Sequence, residues 1–147
     1  MTMSQDTEPD IAAFFRGHEQ AFVLFRRLRR VIEGVCSPAI AVSRTQVSFG
    51  EAYKYIWVWM PQLWVHSRPE GSIVLTILTG KKIKSPRITE SVQPGTGFWT
   101  HHILIEKESE IDEEVTDLVR ASYAFYLQRL EEKIRRKPAK KGPGKLR

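Results

Sequence analysis

Cysteine and long apolar runs are both scarce in this chain of 147 residues. The single cysteine, Cys36, has no partner within the chain for a disulfide and cannot form a thiolate metal cluster alone. Lys, Arg or Gly break the hydrophobic stretches well short of the ~20 residues that a membrane-spanning helix needs. Acids at positions 6, 8 and 10 occupy the place of the cationic and apolar regions of a signal peptide. These absences predict a cytoplasmic protein in a reducing compartment, with no membrane partner.

Positive charge is plentiful but unevenly distributed. The net charge is +6, from 23 basic and 17 acidic residues. Eight of the basic residues and none of the acidic ones lie between Lys133 and Arg147, which leaves 15 basic against 17 acidic residues, a balance of −2, in the rest of the chain. That balance is typical of an ordinary globular surface, so a basic folded domain is not predicted.

Residues 137–147 combine Lys and Arg with Pro and Gly and contain few apolar side chains. Such a segment cannot bury enough surface to offset the entropy of ordering, so we expect a disordered basic tail. Its lysines Lys137, Lys140, Lys141 and Lys145 would attract any polyanion in a generic, salt-sensitive way. Two interpretations remain open: a solubilising tail, or a weak, non-specific nucleic-acid contact.

Helical periodicity occurs towards both ends of the chain. Asp10 is a candidate N-cap for a short first helix. Between residues 18 and 35, apolar side chains recur every 3.6 residues with arginines on the opposite side, which predicts a longer amphipathic helix. The same period returns beyond Lys107, with Ser109 as the candidate cap of a long C-terminal helix.

The intervening residues 38–106 are rich in β-branched and aromatic side chains, with turn formers roughly every 6–12 residues. This pattern predicts an α+β fold: a single, mostly antiparallel sheet of about five strands, with an N-terminal helical segment and a long C-terminal helix packed on it. Strands are expected at 39–44, 46–49, 53–60, 73–78 and 99–106, with a weak one near 87–92. The predicted organisation is a flexible N-terminus (1–9), one α+β domain (10–136) and the basic tail (137–147).

Several short motifs of this chain occur together in one known family. They are RTQVSF at 44–49, LFRRLR at 24–29, His101, EIDEEV at 110–115, Leu118 and ASY at 121–123. Spread over roughly residues 20–126, they resemble the family called domain of unknown function 5655 (DUF5655). The resemblance implies a fold more than an activity, and it draws attention to Arg44 and His101.

The predicted strand 53–60 is unusually aromatic. Alternate residues of a strand point to opposite faces, so Tyr53, Tyr55, Trp57 and Trp59 are expected to share one face. One interpretation is a central strand that other elements cover on both sides. The other is that this face lines a pocket for a flat or cationic ligand.

The histidines do not predict a metal site. His101 and His102 are neighbours on a predicted strand and therefore point to opposite faces, which prevents them from holding one ion together. His101 is either a buried, hydrogen-bonded imidazole or a pocket group that acts as acid or base. No phosphate-binding loop and no nucleophile in a recognised setting occurs, so we assign no catalytic residue, metal or cofactor.

Arg44 ends one predicted strand and His101 lies near the start of another, so a meander could bring them into one polar pocket against the aromatic strand. Cations between residues 80 and 87 either blunt a sheet edge or help Arg44 to hold an anion. The candidate ligand-binding residues are Arg44, Thr45, Tyr55, Trp57 and His101.

The leading hypothesis is a non-enzymatic binding or accessory module for a small anionic or aromatic ligand or a protein partner. One alternative is an enzyme that acts on an anionic small molecule with His101 as acid or base. Another is non-specific nucleic-acid association through the basic tail. A ligand site within the domain would survive removal of the tail, whereas nucleic-acid association would not.

Overall fold

The computed structural model describes the backbone of residues 2–61 and 71–145 and the side chains of residues 7–61 and 71–136. Helices α1 (Thr2–Phe14) and α2 (Glu19–Val35) precede a sheet, and α3 (Glu113–Lys145) follows it. The strands are β1 (Ile40–Val42), β2 (Val47–Phe49), β3 (Ile56–Trp59), β4 (Ile73–Thr79), β5 (Glu90–Gly95) and β6 (Phe98–Ile105). The predicted α+β class is confirmed, with two helices before the strands of one sheet in the sequence and one helix after them.

The six strands pair in the order β1-β2-β3-β4-β6-β5, and every pairing is antiparallel. β6 lies between β4 and β5, so the chain departs from a simple meander at this point. β5 occupies the position of the predicted weak strand and forms one edge of the sheet. Its exposed side chains and Pro94 suit an edge, since a proline cannot donate to a neighbouring strand.

The core lies between the helices and one face of the sheet, which we call the inner face. Ile73, Leu75 and Ile77 of β4 are fully buried there, in one cluster with apolar side chains of α2 and α3. Phe25 of α2 stacks on Phe49 of β2 with 6.3 Å between the ring centroids. The alternate residues of β4 point to the outer face and are also buried, as expected for a central strand.

Two predicted helix starts are wrong. α1 begins at Thr2 and contains Asp10, and Glu8 of the same helix pairs with Arg29 of α2 through contacts of 2.6 and 3.0 Å. α3 begins after Asp112, whose carboxylate accepts from the Val115 N–H, whereas Ser109 lies in a short 3₁₀ turn. A capping residue satisfies a backbone N–H two or three positions later, and tertiary contacts decide which candidate does so.

Within the described part of the chain, no helix is both long and apolar enough to cross a membrane. α1 begins at Thr2 and α3 extends to Lys145, so helix continues into both terminal segments. The mobility of residues 1–9 and 137–147 in solution stays a prediction. Side chains of the predicted polyanion contacts lie outside the described residues; these contacts are Lys137, Lys140, Lys141 and Lys145.

Candidate functional site

Arg44 and His101 do not share a pocket. Arg44 and Thr45 are exposed in the turn between β1 and β2, where Arg44 borders an open cavity of about 600 Å³ together with Asp10 and Phe14. His101 lies on β6, which is separated from β2 by β3 and β4. Three strand spacings therefore separate β2 from β6, and at about 4.8 Å each they span roughly 14 Å. The pocket that the sequence predicts between the two residues is therefore not formed.

His101 is fully buried on the inner face between two hydroxyl groups. The Thr79 hydroxyl donates to the Lys81 carbonyl at 2.7 Å, so it accepts from Nε2–H of His101 at 3.0 Å. Nδ1 then accepts from the Ser91 hydroxyl at 2.7 Å. Burial lowers the pKa of His101, which favours this neutral form. The geometry is that of a buried, hydrogen-bonded imidazole.

The aromatic residues around β3 are divided between two environments. The Tyr55 ring stacks on Tyr126 of α3, with 4.4 Å between centroids, and its hydroxyl donates to Cys36 Sγ at 3.4 Å. Burial raises the pKa of Tyr55, so the phenol keeps its proton. Trp57 lies on the outer face instead, opposite Thr76 of β4. The predicted single aromatic face is wrong, because regular alternation holds only within β3, which begins at Ile56.

Strand register aligns six residues in a row across the outer face. They are Ala41, Ser48, Trp57, Thr76, His102 and Glu90. His102, and not His101, therefore shares a face with Trp57. Whether any of the predicted ligand contacts binds a ligand stays a prediction.

A cavity of about 330 Å³ lies near the β5 end of this row, and we call it the outer-face pocket. The indole Nε1 of Trp59 donates to Thr76 Oγ1 at 3.0 Å, and this oxygen is 2.8 Å from Nδ1 of His102. The Trp59 and His102 rings meet edge to face at 5.9 Å. The described residues that line the pocket are Trp59, Pro61, Val74, Thr89, Glu90, His102 and Leu104.

A larger cleft of about 620 Å³ lies between α3, the segment after β4 and the β5–β6 turn. We call it the α3 cleft. Gly80 forms part of its wall, and a Cβ there would come within 2.7 Å of the Phe125 ring. The side chains that give the cleft its chemistry are Lys81, Phe98, Phe125, Gln128, Arg129 and Glu132.

Arg129 is half-buried at the edge of this cleft and is surrounded by aromatic rings. Its guanidinium carbon lies 3.9 Å from the centroid of the Tyr53 ring, 4.7 Å from that of Phe98 and 5.7 Å from that of Phe125. None of the ion pairs among the described side chains includes Arg129. The guanidinium is therefore held by cation–π contacts and lacks a carboxylate partner in the described part of the protein.

A family model with the description "Domain of unknown function (DUF5655)" matches residues 11–126. The chain belongs to this family. No curated protein and no solved structure matches the chain. The region that matches the DUF5655 model contains every described residue of the outer-face pocket, whereas Gln128, Arg129 and Glu132 of the α3 cleft lie beyond its last residue.

Sequence reasoning missed both Arg129 and His102 in this DUF5655 chain. Arg129 lies three residues after Tyr126, an apolar position of the helical period that begins beyond Lys107, and residues three apart are neighbours on a helix. That spacing was a usable signal. Alternation along the strand places His101 and His102 on opposite faces of the sheet. It does not say which of the two shares a face with Trp57, because that depends on the pairing of β3, β4 and β6.

Proposed function

We propose that this protein is a binding module that holds a small organic anion with a flat apolar body in the α3 cleft. The observation that carries the proposal is the half-buried Arg129 guanidinium, which lies among three aromatic rings and has no carboxylate partner among the described residues. The proposal keeps the ligand class that the sequence suggests and assigns it to other residues.

The position of Arg129 over aromatic rings restricts how it can bind. Its guanidinium carbon lies 3.9 Å from the centroid of the Tyr53 ring and 4.7 Å from that of Phe98, and a guanidinium carries its N–H donors as a fixed planar fork. A carboxylate or phosphate can accept two such hydrogen bonds at once, and charge-assisted bonds of this kind are the strong ones. The rings also fix the side chain, so less conformational entropy is lost on binding.

The rest of the α3 cleft suits the apolar part of such a ligand. Phe98 and Phe125 supply aromatic surface, and the missing side chain of Gly80 lets the Phe125 ring lie against the backbone. Of the described lining residues, Lys81 and Arg129 are basic and Glu132 is acidic. An anion therefore gains from the two cations, which outnumber the one acid, and its charged end is expected at the Arg129 guanidinium.

Isothermal titration calorimetry with 2-naphthoate and its uncharged isostere 2-naphthamide tests the proposal. We expect 2-naphthoate to bind and 2-naphthamide to bind at least about tenfold more weakly, since a hydrogen bond to a charged group contributes about 1.5–3 kcal/mol. Arg129→Met keeps the length of the side chain and removes the charge, so it should weaken 2-naphthoate binding by a similar factor.

Arg135→Met is the matched control, because Arg135 is an exposed arginine of the same helix outside the cleft. It should bind 2-naphthoate as the natural chain does. Arg129→Lys retains the charge without the planar fork and should give an intermediate affinity. The proposal fails if 2-naphthoate does not bind, or if Arg129→Met, folded by its melting curve, binds it unchanged.

A second candidate function rests on the separation of charge along the chain. Eight cations lie between Lys133 and Arg147, while the rest of the chain has a balance of −2. Weak, non-specific nucleic-acid association would therefore depend on this segment and fall steeply with salt. A chain that ends at Arg136 should lose binding to a mixed-sequence duplex, and retained binding at physiological salt would contradict this candidate.

A cytoplasmic location also belongs to the proposal. It is supported by the single cysteine, Cys36, which is buried and free.

A further inference from the structure

The outer-face pocket presents a second set of polar groups, and its hydrogen bonds fix the state of His102. An indole Nε1–H can only donate, so the Thr76 hydroxyl accepts from Trp59. Thr76 is 5% exposed, and the described residues offer its hydrogen one acceptor, Nδ1 of His102 at 2.8 Å. Nδ1 is therefore unprotonated, and the ring proton of His102 is on Nε2.

That Nε2–H has no hydrogen-bond partner among the described residues, and it belongs to a side chain that lines the pocket. Glu90 lies opposite His102 in the register of β5 and β6 and lines the same pocket, so the pocket holds a carboxylate acceptor as well as this donor. Burial lowers the pKa of His102 and outweighs the opposing effect of Glu90, which agrees with a neutral ring. The polar end of the pocket thus offers one donor and one acceptor.

Apart from Thr89, whose hydroxyl donates to the His102 carbonyl at 2.9 Å, the remaining walls are apolar and partly aromatic. Trp59, Val74 and Leu104 supply them, and the described lining contains no lysine or arginine. An anion would meet the carboxylate of Glu90 without a compensating cation. A simple ammonium ion could bind Glu90 but would leave the His102 donor unpaired, and an unpaired buried donor costs affinity. The volume of about 330 Å³ lies at the small end of ligand pockets.

We propose that the outer-face pocket binds a flat, uncharged ring that presents a hydrogen-bond acceptor beside an N–H donor, as a lactam does. The ring lies against Trp59, its carbonyl accepts from Nε2–H of His102, and its N–H donates to the Glu90 carboxylate. This site differs from the α3 cleft in ligand charge and shares none of its described lining residues.

The test uses 2-pyridone, a minimal six-membered lactam, and follows the Trp59 indole N–H signal by two-dimensional ¹H–¹⁵N NMR. The signal is assigned by its loss in Trp59→Phe. We expect saturable shifts of this signal with 2-pyridone. N-methyl-2-pyridone keeps the ring and the carbonyl but lacks the donor, so it should bind at least about tenfold more weakly.

Glu90→Ala removes the acceptor at an exposed edge position and should weaken 2-pyridone binding at least about tenfold. Glu106→Ala is the matched control, because Glu106 is an exposed acid just after β6 and outside the pocket lining. The proposal is overturned if 2-pyridone leaves the Trp59 signal unchanged, if N-methyl-2-pyridone binds equally well, or if Glu90→Ala has no effect. Arg129→Met should leave 2-pyridone binding intact, which separates this result from that of the α3 cleft.

Discussion

Gly80 lies against Phe125 so closely that a Cβ at this position would come within 2.7 Å of the ring. This contact joins the end of β4 to α3 and shapes one wall of the α3 cleft. Because the nearest atoms belong to a half-buried ring, a side chain here can be accommodated only if Phe125 moves. Both stability and the cleft should therefore respond to this position.

We expect Gly80→Ala to lower the free energy of unfolding by about 1–3 kcal/mol, the usual cost of overpacking. Gly34→Ala is the control, because Gly34 is exposed in α2 and no atom outside its own turns of the helix lies within 4 Å of the position that a Cβ would take. That substitution should stabilise the chain by about 0.5–1 kcal/mol. Urea unfolding measures both. A neutral or stabilising Gly80→Ala would contradict the close contact.

Stability should fall on mild acidification because of His101 and His102. Burial lowers the pKa of both in the folded protein, whereas an unfolded histidine titrates near about 6.5. The unfolded chain therefore binds more protons below that pH. The contribution of the two neutral histidines to the free energy of unfolding should be fully present above about pH 6.5. Below that pH the free energy of unfolding should decrease towards pH 5, by up to about 1.4 kcal/mol per pH unit for each histidine.

Urea unfolding between pH 5 and pH 8 checks this expectation in a range above the titration of most carboxylates. His101→Gln removes one of the two groups and should reduce the pH dependence, although it lowers stability at pH 7 through the lost contacts to Ser91 and Thr79. Equal slopes in His101→Gln and the natural chain would show that His101 does not carry the effect.

The start of α3 depends on Asp112. Its carboxylate accepts from the Val115 N–H at 3.3 Å and from Arg87 at 2.9 and 3.0 Å. Asp112→Ala should lower the free energy of unfolding by about 0.5–2 kcal/mol, the usual effect of losing an N-cap. Ser109→Ala changes the cap that the sequence suggested and should have an effect within about 0.5 kcal/mol. If Ser109→Ala proved the more harmful, the assignment of the cap to Asp112 would be wrong.

Local sequence pattern was enough to predict the main elements. The stripe of α2, with Leu24, Leu28 and Ile32 buried and Arg30 exposed, follows from a 3.6-residue period. The strands were predicted near their observed positions, because β-branched and aromatic runs between turn formers are local properties. The edge strand β5 also overlaps the weak strand that was predicted near residues 87–92.

The candidate sites depended on contacts between distant segments. The sequence by itself determined the α+β class and the membership of DUF5655, because periodicity and short motifs are contained in the chain. Only the tertiary structure decided that β6 pairs with β4, that His102 joins Trp57 and Trp59, and that Arg129 lies among rings from three parts of the chain. Alternation along a strand gives two opposite faces, but strand order and register decide which residues of other strands share them, and these arise from packing of the whole domain.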